Sequence, residues 1–67
     1  MNWKANKDGA TVTFKKDYLT VLWSLDERKY EVRRTEGDTE RVVEQGRAAH
    51  LPIESFLQYV EMTWGNW

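Results

Sequence analysis

The fold is decided by the stretch TVTFKKDYLTVLW, residues 11–23, where apolar side chains recur at every second position on both sides of a polar interruption. These apolar residues are Val12, Phe14, Leu19, Val21 and Trp23. A period of two is typical of half-buried strands, whereas a helix repeats its apolar positions every three or four residues. We therefore predict an antiparallel hairpin that turns at Lys16-Asp17 and carries its apolar side chains on one face.

Another hairpin is predicted just before this one. Asp8-Gly9 is a dipeptide that favours two-residue hairpin turns, because both central residues tolerate a positive φ. A turn at this dipeptide would place Ala5 opposite Val12, with the apolar partners again on one face. A slip of one residue would turn every side chain to the other face, so the pattern specifies which face is buried.

Two further strands are predicted downstream. The polar run at residues 26–29 indicates a turn, and the alternating residues 30–35 that follow it indicate a strand. A glycine-containing turn then leads into a last strand at residues 39–45. Whether Val42 or Val43 faces inward depends on whether the chain bulges, and the sequence leaves this open.

The end of the chain predicts a helix over residues 52–64. Pro52 occupies a first helical position, where its missing N–H costs nothing, and Gly65 is placed to form a left-handed C-terminal cap. The apolar stripe of this helix is Ile53, Phe56, Leu57, Val60 and Trp64. The fold class is therefore α+β, an antiparallel β-meander of four to five strands with one C-terminal α-helix packed across one face. The predicted core is Trp3, Val12, Phe14, Leu19, Val21, Trp23, Tyr30, Val32, Ile53, Phe56, Leu57, Val60 and Trp64.

Length and charge place limits on what the chain does. Its 67 residues form one small domain, residues 1–67, and its 10 Lys and Arg against 11 Asp and Glu give a formal charge of −1. This balance provides no general cationic field for nucleic acid or an anionic membrane. No secretory signal is recognised, and no apolar run approaches the length of about 20 residues that a membrane-spanning helix needs. We expect a cytoplasmic protein, and a homodimer is left open because so short a domain is marginally stable.

Side chains suited to catalysis or metal binding are sparse. The chain has no cysteine and one histidine, His50, which has no second ligand at helical spacing. Ser24 and Ser55 lie outside any strand-turn-helix elbow of the kind that hydrolases use. The acidic residues that lie close to each other in the sequence are at the tips of predicted hairpins, where their carboxylates stay hydrated. We therefore predict a protein that is not an enzyme and has no catalytic, cofactor-binding or metal-binding residues.

Binding surfaces are then the basis of the predicted function. Residues 1–34 hold eight basic and five acidic side chains, whereas residues 35–67 hold two basic and six acidic ones. The sheet face away from the helix is predicted to expose basic and aromatic residues around an apolar leucine, a combination typical of protein interfaces. The predicted partner-binding residues are Lys15, Tyr18, Leu22, Arg33, Arg34 and Trp67. We predict a small accessory or regulatory protein that binds a protein partner through this face or through a sheet edge.

The alternative is a nucleic-acid-binding domain with a basic and aromatic sheet face. It would use Lys15, Tyr18, Arg33 and Arg34. Sheets that bind single-stranded nucleic acid stack bases on two or three aromatic rings, and the predicted face has Tyr18 alone. The sequence therefore favours a protein partner.

Overall fold

The computed structural model describes residues 3–47 and 52–65. Five strands form one antiparallel sheet in chain order, and a C-terminal helix packs on one of its faces. The strands are β1 (Lys4–Asp8), β2 (Thr11–Lys16), β3 (Leu19–Ser24), β4 (Lys29–Glu36) and β5 (Thr39–Arg47), and the helix α1 is Ile53–Trp64. The predicted α+β meander is confirmed.

The first two hairpins turn one residue later than predicted. Gly9 (φ 63°) and Asp17 (φ 52°) occupy the first central positions of the two turns, where the backbone is left-handed and these residue types are tolerated. Phe14 consequently pairs with Ala5 and Val21, so the predicted pairs were wrong by two positions. An even shift keeps every side chain on its face, and the predicted buried face is confirmed.

The core lies between α1 and the central strands. Its buried side chains are Leu19, Val21, Val32, Phe56, Leu57 and Val60. Partly buried side chains packed against them are Trp3, Phe14, Trp23, Tyr30, Val43, Ile53 and Trp64. The helical stripe predicted from the sequence is therefore the buried face of α1. Ala5 lies in a strand whose residues are all exposed, and Val12 is half-buried, so these two contribute less than predicted.

A β-bulge in β5 decides which valine faces inward. The register between β4 and β5 shifts between Val32 and Arg33, which leaves Val43 as the extra residue. Val43 packs against the core, whereas Val42 is 44% exposed. After the bulge, Glu44 lies opposite Val32 on the helix side of the sheet. Without the bulge, the alternation along β5 would have placed Glu44 opposite Glu31, on the sheet face turned away from α1.

The ends of α1 differ slightly from the prediction. Pro52 is the N-cap residue and the helix begins at Ile53, with the acidic Glu54 in its first turn. Gly65 has φ −92°, so the predicted left-handed cap was wrong. Its N–H still donates to the Glu61 carbonyl oxygen at 3.0 Å, and a Cβ there would lie 2.5 Å from that oxygen. Glycine is therefore required by the close approach of the backbone, and not by a positive φ.

Across residues 3–47 and 52–65, no helix combines the length and hydropathy needed to cross a bilayer.

Candidate functional site

The open face is the side of the sheet turned away from α1. Because paired residues lie side by side, it is organised in rows that cross all five strands. The first row is Lys4, Lys15, Thr20, Arg33 and Val42. The second row is Asn6, Thr13, Leu22, Glu31 and Gln45. The third row is Asp8, Thr11, Ser24, Lys29 and Arg47.

Two pairs of like charges lie directly opposite each other on the open face. Lys4 pairs with Lys15 across β1 and β2, and Lys29 pairs with Arg47 across β4 and β5. Lys29 has a loose ion pair with Glu27 at 3.6 Å, and within the described part of the chain the other three cations have none. Like charges in opposite positions destabilise a sheet. The open face therefore carries positive charge that the fold itself does not neutralise.

Arg33, at the centre of the first row, is held by two carboxylates. Its Nε donates to Glu31 Oε2 at 2.5 Å, and its Nη1 donates to Glu40 Oε1 at 3.1 Å. The hydrogen bonds to Glu40 and Glu31 raise the pKa of Arg33. Next to it, Thr20 is only 7% exposed, because it lies between the long side chains of Lys15 and Arg33.

The predicted partner-binding residues divide between two places. Lys15, Leu22 and Arg33 lie together on the open face. Tyr18 and Arg34 instead line a cavity of about 370 Å³ at one end of the sheet, next to the C-terminal end of α1. Arg34 lies opposite Leu19, which places it on the helix side. Trp67 and His50 lie outside the described residues.

A cluster of side chains centred on Glu44 connects the sheet to the helix. Glu44 Oε2 accepts a hydrogen bond from the Tyr30 hydroxyl at 2.8 Å. Glu44 Oε1 accepts from the Tyr59 hydroxyl at 2.7 Å and from the Trp64 indole Nε1 at 3.2 Å. One carboxylate thus binds a residue of β4 and two residues of α1. This Glu44 cluster (Tyr30, Glu44, Tyr59, Trp64) was not predicted from the sequence.

The hydrogen bonds of the Glu44 cluster shift the pKa values of its members. Burial alone raises the pKa of Glu44, but the hydrogen bonds from Tyr59, Tyr30 and Trp64 outweigh it and the pKa lies below its ordinary 4.5. The hydrogen bond to Glu44, together with burial, raises the pKa of Tyr30 from 10.0 to about 12. The same two causes raise the pKa of Tyr59. At neutral pH the cluster therefore consists of a carboxylate and neutral phenols.

Gly46 makes room for the Tyr30 ring. The two residues lie opposite each other in β5 and β4. A Cβ on residue 46 would lie 3.0 Å from the Tyr30 hydroxyl oxygen and 3.2 Å from two of the ring carbons. Contacts this short force the neighbouring atoms to move. The glycine therefore allows the ring to lie flat enough against β5 for its hydroxyl to reach Glu44.

The ionisation of Tyr30 reports whether its hydroxyl donates to Glu44. In E44A both the acceptor and its charge are removed, so the pKa of Tyr30 should fall from about 12 towards 10.0. Following the Cζ chemical shift of Tyr30 by NMR, we expect a neutral phenol in the wild type at about pH 11 and a more ionised one in E44A. Equal midpoints in the two proteins would contradict the hydrogen bond.

The described residues contain no group of three or more His, Cys, Asp or Glu that could hold a metal ion. The carboxylate in the Glu44 cluster faces neutral donors, so the arrangement is suited to binding and to holding the helix. The open face and the Glu44 cluster are the two candidate sites. No protein-family model, curated protein sequence or solved structure matches this chain.

Proposed function

We propose that this protein binds an acidic segment of a protein partner across the open face. The observation that carries the proposal is the presence of two cross-strand pairs of cations, Lys4 opposite Lys15 and Lys29 opposite Arg47. Each pair costs stability in the free protein. A partner that places carboxylates over these positions turns the repulsion into attraction, which gives a reason for the cations to be there.

The dimensions of the open face suit a short segment. Five strands at about 4.8 Å spacing span about 19 Å, and strands of about six residues are about 20 Å long. The resulting planar area of about 400 Å² is half of the roughly 800 Å² that each partner contributes to a standard interface. An extended peptide or a single loop of a partner therefore fits this face better than a large globular surface does.

The side chains between the cations favour protein over nucleic acid. The central rows carry threonines, Leu22 and Val42, whose methyl groups can pack against an apolar side chain of a peptide. The rows of the open face contain no aromatic residue within the described strands, so there is no ring on which a base could stack.

The variant K15E tests the proposal, because it separates binding from stability. On the free protein, the carboxylate introduced at position 15 would lie opposite Lys4, so we expect the free energy of unfolding to rise by about 0.2–1 kcal/mol. We also expect the affinity for a synthetic peptide of alternating glutamate and threonine to fall about tenfold or more at physiological salt. Chemical-shift mapping of the peptide on the labelled protein and urea unfolding measure the two effects.

The matched control is K7E, which makes the same charge change on the adjacent strand but on the helix side of the sheet. Its peptide affinity should change by less than about threefold. Equal losses in K7E and K15E, or no peptide-induced shifts on the open face, would contradict the proposal. A single-stranded DNA oligonucleotide that displaces the peptide, with a steep dependence on salt, would favour the nucleic-acid alternative instead.

A further inference from the structure

The carboxylate of Glu44 keeps a negative charge that no described cation neutralises. Its three hydrogen-bond donors are two phenols and an indole, all of them neutral. The five ion pairs formed by the described residues involve other carboxylates. A carboxylate offers about four acceptor positions, so one position remains open beside the charge. Glu44 is half-buried, and the side chains that bond to it are all aromatic.

Beside this carboxylate is a cavity of about 400 Å³, the aromatic pocket, which lies on the opposite side of the sheet from the open face. The pocket is lined by Tyr30, Glu44, Ser55, Phe56 and Tyr59. Its volume is within the range of about 300–1,000 Å³ that is typical of small-ligand sites. Phe56, at 5% exposure, forms the floor, and Tyr59, at 45% exposure, forms the outer wall.

The rings that line the aromatic pocket pack on one another at different angles. The Tyr30 and Phe56 ring centroids are 4.6 Å apart with an interplanar angle of 65°. The Phe56 and Tyr59 centroids are 6.0 Å apart at 39°. Because the hydroxyls of both tyrosines are anchored on Glu44, the two walls and the charge are held together before any ligand arrives.

A cation is the ligand that this lining fits. Aromatic faces attract cations through the ring quadrupole, and the carboxylate adds a direct attraction. The surface of the pocket is mostly apolar, and a primary ammonium group is strongly hydrated and would lose that hydration on entering it. A quaternary ammonium group has no donor to satisfy and presents only methyl groups to the rings. The lining therefore suits a methylated ammonium better than an unmethylated one.

We propose that the aromatic pocket binds a quaternary or fully methylated ammonium group, with Glu44 supplying the negative charge and Tyr30, Phe56 and Tyr59 supplying the surrounding rings. Such a group occurs on small molecules of the choline type and on trimethylated lysine side chains. The two sources present the same cationic head. They differ in the chain that leads away from it, past Ser55 at the exposed side of the pocket.

Titrations on the full chain test the proposal, with NMR shifts of Tyr59 and of the Trp64 indole as the readout. The probes are choline, a trimethyllysine peptide, and 3,3-dimethylbutanol, the neutral isostere of choline. We expect choline to bind about tenfold or more tightly than the isostere, because the difference between them is the charge. Tighter binding of the trimethyllysine peptide than of choline would assign a modified protein as the source, and the reverse order would assign a small molecule. Equal binding of choline and its isostere, or no saturable shift with any cation, would overturn the proposal.

The variant E44Q tests the role of the charge, with E40Q as its control. Glu40 lies in the same strand but bonds to Arg33 on the open face. Choline affinity should fall about tenfold in E44Q and stay unchanged in E40Q. Unchanged affinity in E44Q would contradict the proposed role of Glu44. Because the comparison of choline with its isostere is made on the wild type, the proposal remains testable even if E44Q is unstable.

Discussion

F56A is expected to remove most of the stability of the domain. Phe56 is 5% exposed and lies within 5.2 Å of Trp23 and 4.6 Å of Tyr30, measured between ring centroids. Replacing a buried phenylalanine with alanine costs about 3–5 kcal/mol through lost burial and the cavity that remains. A chain of this length has a total stability of about 3–10 kcal/mol. Urea unfolding followed by tryptophan fluorescence should show a midpoint shifted strongly towards zero denaturant.

The control for this variant is M62A on the same helix. Met62 is 68% exposed, and alanine favours the helical state slightly more than methionine does. We expect its free energy of unfolding to stay within about 0.5 kcal/mol of the wild type. If both variants lost similar stability, the described packing of α1 on the sheet would be wrong.

E44A is expected to be the second most destabilising change, by about 2 kcal/mol at neutral pH. The substitution removes the acceptor from three donors at once, and two of these, Tyr30 and Trp64, are half-buried. Water can replace the partner of the more exposed Tyr59. Chemical unfolding of wild type and variant gives the difference directly.

The effect of E44A should also depend on pH in a defined direction. The pKa of Glu44 in the folded protein lies below its ordinary 4.5, so the folded state binds fewer protons than the unfolded state in acid. The stabilisation by Glu44 is therefore complete well above pH 4.5 and is lost as the pH falls through the lowered pKa. The difference between wild type and E44A should shrink accordingly, whereas for E40A it should stay below about 1 kcal/mol throughout. A difference that grew in acid would contradict the Glu44 cluster.

Much of the architecture follows from local patterns in the sequence. Val12 and Phe14 in one strand, and Leu19 and Val21 in the next, are apolar residues at every second position, and this pattern specified the buried face. A shift of the strand register by two positions leaves all of them on the same face. The apolar residues of α1 recur every three or four positions, and such residues share one buried face only in a helix. The exact pairing was harder to predict, because Asp17 adopts a positive φ in the structure and glycine is the residue that normally signals such a turn.

The candidate sites were predicted less completely than the fold. Lys15, Leu22 and Arg33 were correctly placed on one face, since that assignment needs only alternation along a strand. Arg34 was grouped with them from its charge, although its neighbouring position puts it on the opposite side. The Glu44 cluster could not be predicted at all, because a period-two pattern without the bulge places Glu44 on the open face. The one local signal was Gly46, a glycine within a strand pattern, which often marks a close approach or a bulge.

The bulge at Val43 also means that β5 contains one spare residue. If one residue were deleted between the hairpin tip and Val43, β5 could continue without a bulge. Glu44 would then still lie on the helix side of the sheet. Between Glu44 and Gly46 there is no extra residue to absorb a deletion. Losing one residue there would turn side chains to the opposite face of the sheet and separate the glycine from Tyr30. Length variation in this strand is therefore tolerated on its tip side alone, and the three residues from Glu44 to Gly46 act as a unit of fixed spacing.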